Sequence, residues 1–233
     1  MCVAAQAWNA HPRWRLVVAG NRDEFHARPT APLAAWDDSG ILAGRDLQAG
    51  GTWLGVSSER FALVTNYRAE GYPRPELASR GTLVSDWLRG DEPARGPAMN
   101  PFNLWLATHD KLLFVTNHPQ AQGLALADGV HGLSNGARSD RWFKTAQLEA
   151  ALGAWLAAGD PPAALLGALA DEVPDPADPD NPFSPVFIRH PDYGTRCSTV
   201  IAVDVDGAGT ITERSFDADG AETGTVTLGF DWG

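Results

Sequence analysis

Short apolar runs that stop at Gly, Pro, Asp or Asn constrain this chain more than any other feature. "CVAAQAW" and "WRLVVAGN" stand on either side of "NAHPR", whose Asn9 and Pro12 suit a hairpin turn. "ILAGRD", "TWLGVS", "FALVTNY", "NLWLATH" and "KLLFVTNH" repeat the pattern, the last two joined by a tight turn at "HDK". "CSTVIAVDVDG", "TITERSF" and "GTVTLGF" return to it at the end. A repeated hairpin pattern predicts antiparallel sheet.

Helical signals are fewer. "SRGTLVSDWLRG" spaces Leu83, Val84, Trp87 and Leu88 along one helical face and stops at Gly90. "KTAQLEAALGAWLAAG" is rich in Ala and Leu and ends at Gly159, and "PPAALLGALADE" opens with prolines suited to a helix first turn. "VPDPADPDNPFSP" reads as a solvated surface loop. Strands, then helices, then strands predict an α+β chain with two sheets and helices packed outside them. With no linker in view, residues 1–233 read as one domain, and 44% hydrophobic residues are enough for its core.

The balance of charge excludes several partners. A net charge of -11 repels nucleic acid and anionic membrane surfaces. No apolar run reaches the roughly 18 residues of a membrane span. Two cysteines cannot make a disulfide framework, which points to a reducing compartment and a cytoplasmic location. There is no phosphate loop, dinucleotide fingerprint or zinc spacing. The six histidines are scattered, and His118 and His131 read as surface or packing residues rather than haem or metal ligands, so no metal centre is expected. Nothing in the sequence sets an oligomeric state.

The informative residues are polar groups attached to buried-looking strands. "LVVAGNRDEF" runs straight into Asn21, Arg22, Asp23 and Glu24; "FALVTNYR" ends in Asn66; "HGLSNG" carries Asn135; "YGTRCSTVIAV" has Arg196 at the head of an apolar strand. Amides and guanidinium groups at such places can be aimed at developing negative charge. Cys2 completes the set. Its small side chain permits removal of Met1, leaving a thiol and a free α-amino group on one residue. That amine, with an ordinary pKa of about 7.7–8.0, can accept the thiol proton. The alternative is a small buried residue on a first strand. Trp53 in "GGTWLG" is either core or the wall of an acyl or ring pocket, whose mouth Tyr67 and Arg68 could line. Arg45 and Asp46 are candidates for pairing with the charges of "NRDE". If Arg196 points into a site, Cys197 points away, and no Cys2–Cys197 disulfide is expected.

"NRDEFHARPTAPLAAW", "ILAGRDLQAGGTWLGVS", "FALVTNYR", "SRGTLVSDWL", "HGLSN" and "YGTRCSTVIAVD" resemble the NRDE family, also called the transport and Golgi organisation protein 2 family. The resemblance covers nearly the whole chain in order. That family in turn resembles, more distantly, the N-terminal-nucleophile hydrolases of the bile-salt hydrolase and penicillin V acylase type. This second resemblance implies a four-layer αββα sandwich of two mostly antiparallel sheets. It implies an N-terminal cysteine amidohydrolase acting on a non-peptide amide, with Cys2 as nucleophile. Arg22 and Asp23 match the family's early Arg and Asp, with Asn21 and Glu24 left open. Asn66 and Asn135 look like its oxyanion residues and Arg196 like its late strand Arg. The ligand would be a small amide or acyl substrate, with no cofactor. The family resemblance also implies an alternative, a haem or lipid/acyl-CoA binding and trafficking protein on the same fold without hydrolysis.

Overall fold

The computed structural model describes residues 2–37, 39–92 and 99–233. In chain order it begins with β1 (Val3–His11), β2 (Trp14–Phe25), β3 (Thr30–Ala35), β4 (Leu42–Asp46), β5 (Leu54–Val56) and β6 (Phe61–Asn66). Helix α1 (Gly81–Arg89) follows, then β7 (Phe102–Thr108), β8 (Lys111–Thr116), β9 (Gln122–Ala125) and β10 (Gly129–Leu133). Helix α2 (Phe143–Ala158), a 3-10 turn (Pro162–Ala164) and α3 (Leu165–Leu169) precede β11 (Tyr193–Asp204), β12 (Ala208–Phe216) and β13 (Glu222–Asp231). The strands form two sheets, ordered β10-β1-β2-β11-β12-β13 and β3-β4-β5-β6-β7-β8-β9, and every neighbouring pair with a recorded register is antiparallel. The α+β class and the antiparallel sheets read from the sequence hold. No described helix is long and apolar enough to cross a membrane.

The chain divides into two compact units, Met1–Ala27 with Asp128–Gly229, and Arg28–Ala127 with Phe230–Gly233. The first contains the six-stranded sheet. Its hairpin closes at Pro12 and Arg13, where Pro fixes φ, and Asn9 takes a left-handed φ of 44° just before it. Strand alternation sends Val3, Ala5, Ala7, Val17, Ala19, Val200 and Ala202 to one face, where Leu148, Leu152 and Trp155 of α2 and Leu165, Leu166 and Leu169 of α3 cover them. Each fully buried Leu there contributes about 1.5–3 kcal/mol of transfer free energy. Helix α2 ends as expected, with Gly159 in the left-handed region and its N–H on Trp155 O.

Close approach of α2 to the sheet depends on one glycine. A Cβ built on Gly132 of β10 would lie 2.4 Å from Thr145 Cγ2, in the first turn of α2. Gly132→Ala is therefore expected to destabilise the protein by about 1–3 kcal/mol, although alanine is ordinarily better than glycine inside a strand. Urea unfolding measures this, and an unchanged midpoint would show that the helix start is free to move.

The second unit is a seven-stranded sheet with α1 on one face. Leu83, Val84, Trp87 and Leu88 of α1 pack with Ile41, Ala43, Ala62, Val64, Leu104 and Leu106. Trp87 Nε1 donates to Phe61 O at 3.0 Å, and the helix stops at Gly90 with φ 105°. The "HDK" turn joins β7 to β8 as expected, with Thr108 opposite Lys111.

Three strands escape the sequence reading, namely β3, β9 and β10. Within the second unit Asp46 binds Arg28, at 2.6 Å, and Arg45 stacks over the Trp36 ring at 4.3 Å.

Candidate functional site

The segment "NRDE" is not a strand end. Strand β2 continues through it to Phe25, paired with β11 on one side and, as far as Asn21, with β1 on the other. Asn21, Arg22 and Asp23 are buried in consequence. Asn21 holds the strand in place: its Nδ2 donates to Leu169 O at 2.8 Å and Val186 O at 3.0 Å, and its Oδ1 accepts from Ser198 Oγ at 2.6 Å. Three partners far along the chain make a buried amide affordable here.

Cys2 lies just ahead of β1. Val3 stands opposite Asn21, so the same register continued by one residue sets Cys2 beside Arg22. Arg22 in turn stands opposite Cys197. The two cysteines thus flank β2, separated by two strand spacings, about 9–10 Å, beyond the ~7 Å Cα limit for a disulfide. Both are free thiols, as expected, but for a different reason from the one read in the sequence. A bulge between Thr195 and Cys197 takes Arg196 out of register and turns Cys197 to the same face as Arg22; the intervening strand is what keeps the thiols apart.

Burial pushes the half-buried Cys2 thiol up, and the Asp23 carboxylate adds to this. The Asp23 backbone N–H, donated to the sulfur, and the Arg22 guanidinium act in the opposite direction. The balance leaves the thiol above its ordinary value, which favours its neutral form. Burial, then the neighbouring Glu213, pushes the Cys197 thiol well above the ordinary range, which makes it an unreactive core residue.

Asp23 is the most constrained acid of the corner. Its Oδ1 accepts from Thr195 Oγ1 at 2.7 Å; that hydroxyl in turn accepts the Ile188 N–H at 2.9 Å. Its carbonyl accepts from Tyr193 Oη at 2.6 Å. Burial raises the carboxyl above its ordinary value, while the Lys144 ammonium, the Thr195 hydroxyl and the Arg22 guanidinium draw it back down. Arg22 itself is 3.9 Å from Glu24 Oε2.

On the other side of β1, Ser134 Oγ donates to Cys2 O at 2.7 Å. Asn135 follows it, 1% exposed, with its Oδ1 3.4 Å from the same hydroxyl. The first unit therefore brings together Cys2, Arg22, Asp23 and, through Ser134, Asn135. Arg196 stands at the bulge, where its Nη1 donates to Phe25 O at 3.1 Å and His26 O at 3.0 Å. Burial and then the adjacent Arg22 charge lower its guanidinium pKa.

The remaining candidates belong to the second unit. Asn66 is the exposed last residue of β6, opposite Phe102. The Tyr67 N–H donates to Pro101 O at 2.9 Å and its ring sits 4.8 Å from that of His118, while Arg68 is exposed. Trp53 is half-buried with its ring over Gly44, where any Cβ would lie 2.3 Å from Cη2. That is a packing role for the tryptophan within its own sheet. Among the described residues, no group of three or more His, Cys, Asp or Glu is placed to hold a metal.

Sequence reasoning missed Ser134, Thr195 and above all Lys144. Serine and threonine give no signal of their own on a strand. Lys144 carries one signal, as one of only two lysines in the chain. Met1, whose removal the nucleophile reading needs, lies outside the described residues.

Comparison with known proteins covers both units. The chain is 34% identical to the Transport and Golgi organization protein 2 homolog of Bos taurus, over 92% of this chain and 93% of the relative. It is 31% identical to the Transport and Golgi organization 2 homolog of Mus musculus, over 99% of each. The human Transport and Golgi organization protein 2 homolog is 33% identical over 92% of this chain and 93% of its own length. A family profile described as Transport and Golgi organisation 2 matches residues 1–218. With relatives matching along nearly its whole length and a profile spanning both sheets, the chain belongs to the Transport and Golgi organisation 2 family.

Proposed function

We propose that the mature protein is an N-terminal-cysteine amidohydrolase that cleaves a non-peptide amide once Met1 has been removed. The observation that carries this is the placement of Cys2 ahead of β1, in register beside Arg22, with Ser134 Oγ on its carbonyl and Asn135 next in chain. A neutral thiol on a terminal residue has its base built in. The α-amine takes the thiol proton as sulfur bonds to the substrate carbonyl carbon. The tetrahedral oxyanion collects hydrogen bonds, for which the buried Asn135 amide, next to the Ser134 that bonds Cys2, is the candidate donor of the first unit. The α-ammonium then returns its proton to the leaving nitrogen as the C–N bond breaks. Water adds to the thioester, the amine again serving as base, and releases the acid and the free thiol.

Asp23 would orient the α-ammonium, and Arg22 would stabilise the thiolate as it forms. The test is intact mass of protein made in its native host, followed by reaction with an electrophilic acyl probe. Loss of Met1 and stoichiometric acylation of Cys2 are expected. Mature protein that retains Met1, or a Cys2 that refuses the probe while the protein is folded, would overturn the reading.

The relatives' names, which speak of transport, favour a second reading in which the same fold binds and carries haem or a lipid-like molecule without hydrolysis. Haem or acyl-CoA binding that is unchanged by Cys2→Ala, with no amide turnover, would select it.

A further inference from the structure

The end of a chain is the part that a β-sheet holds least. It has a covalent neighbour on one side alone, and terminal residues fray unless something ties them down. Strand β1 is paired with β2 from Val3 onward and with β10 from Ala4 onward, so Cys2 lies beyond the start of both ladders. In the nucleophile reading Cys2 is the terminal residue, and reacting groups must be held to within about 0.5 Å of the productive geometry.

A side chain takes over where the ladder stops. Strand β10 ends at Leu133, and the next residue, Ser134, donates its hydroxyl proton to Cys2 O at 2.7 Å. A carbonyl oxygen can only accept, and a serine hydroxyl has a single proton to give, so the direction of this bond is fixed. Ser134 is itself buried, away from water that would compete for the bond. The same hydroxyl lies 3.4 Å from Asn135 Oδ1, a longer and weaker contact that sets the oxygen end of that buried carboxamide toward the serine. One hydroxyl therefore meets both the backbone of the nucleophile and the side chain that is the candidate oxyanion donor.

We infer that Ser134 is a positioning residue for the reaction: its hydroxyl pins the carbonyl of Cys2 and so fixes the thiol and α-amine of the terminal residue relative to Asn135. The inference rests on the nucleophile reading above and adds the means by which the chain end is kept in place. Ser134 acts through the Cys2 backbone and needs no contact with substrate. Its worth lies in orientation, where a displacement of about 1 Å can cost 10²-fold in rate.

The chain's cysteine content makes the contact directly observable. Mature protein labelled with 13C at the cysteine carbonyl gives two signals, one from Cys2 and one from the buried Cys197. Cys2→Ala removes the first and so assigns both. Ser134→Ala is expected to displace the Cys2 signal and leave that of Cys197 in place. Ser134→Thr, which keeps the hydroxyl, is expected to hold the Cys2 signal near its wild-type position. A Cys2 signal indifferent to Ser134→Ala overturns the proposal.

Kinetics then separate orientation from support of the fold. Ser134→Ala is expected to lower kcat for a small amide by about 10–10²-fold while KM changes by no more than about twofold, with the urea midpoint nearly unmoved. Ser134→Thr should recover most of the loss. A kcat that falls only together with the urea midpoint, with threonine no better than alanine, would make the serine a strut and end the proposal. Should the added methyl keep the threonine variant from folding, Ser134→Ala decides alone: an unchanged kcat overturns the proposal, and a lowered kcat at a constant midpoint upholds it. Absence of amide hydrolysis in wild type would instead fail the amidohydrolase reading, and the Cys2 carbonyl signal would still decide whether Ser134 holds the chain end.

Discussion

Cys2→Ala is expected to lower amide hydrolysis by about 10⁴–10⁶-fold and abolish acyl labelling, with the fold unchanged. Alanine is as small as cysteine at the position that governs removal of Met1, so the variant permits the same processing and loses only the sulfur. Cys2 is only half-buried and small, so its truncation should cost no more than about 1 kcal/mol of stability. Cys2→Ser is the sharper control. It retains a hydroxyl in the same place but needs a stronger base, and should recover only a small part of the rate. Steady-state hydrolysis of a small amide measures the first effect and thermal unfolding the second. A Cys2→Ala protein with wild-type turnover would remove the nucleophile from the mechanism.

Asp23→Asn is expected to separate stability from chemistry. The carboxyl of Asp23 is raised by burial despite Lys144, Thr195 and Arg22, so the folded state favours the neutral acid. The sign follows from linkage. Stability contributed by this group is fully present below the ordinary carboxylate range and is lost as pH rises through the raised folded value. Wild-type protein should lose stability across that window, and Asp23→Asn, a neutral isostere, should not. At neutral pH the variant is expected to be no less stable than wild type. Its rate should nevertheless fall by about 10²–10⁴-fold, the usual worth of a group that serves proton transfer. Urea midpoints from acid to neutral pH, set beside turnover, read both. A variant that loses stability and activity together would make Asp23 a structural strut.

How much of this was legible in the sequence depends on where each residue finds its partners. The hairpin of β1 and β2, the β7–β8 turn and the glycine stops of α1 and α2 are local, and local patterns reveal them. Strand β3, "TAPLAA", has a proline and four small residues, and β10, "GVHGL", has two glycines. Both are strands only because a neighbour supplies the ladder, as β1 does for β10 from Ala4↔Leu133 to Trp8↔Gly129. Asn21 looked like the edge of a turn because the groups that satisfy it, at Leu169, Val186 and Ser198, are remote in sequence. Lys144 was illegible for the same reason. A lysine on an Ala-rich helix reads as solvated, whereas Lys144 is 1% exposed in the fold. Cys2, Arg22, Asp23 and Asn135 stand out in the sequence as polar groups attached to apolar runs, and pairing of β1 with β2 and β10 sets them near one another.

The strand order has a consequence for biosynthesis. The first sheet begins with a hairpin complete at residue 25, but the strands that flank it, β10 and β11, arrive only after the whole of β3 to β9 has been made. At ~5–20 residues per second, a ribosome takes about 10–40 s to reach the end of β11. Through that interval the nascent amino terminus has no lid of helix or neighbouring strand. The nucleophile reading requires removal of Met1, and that cut would fall in this interval, before the sheet closes.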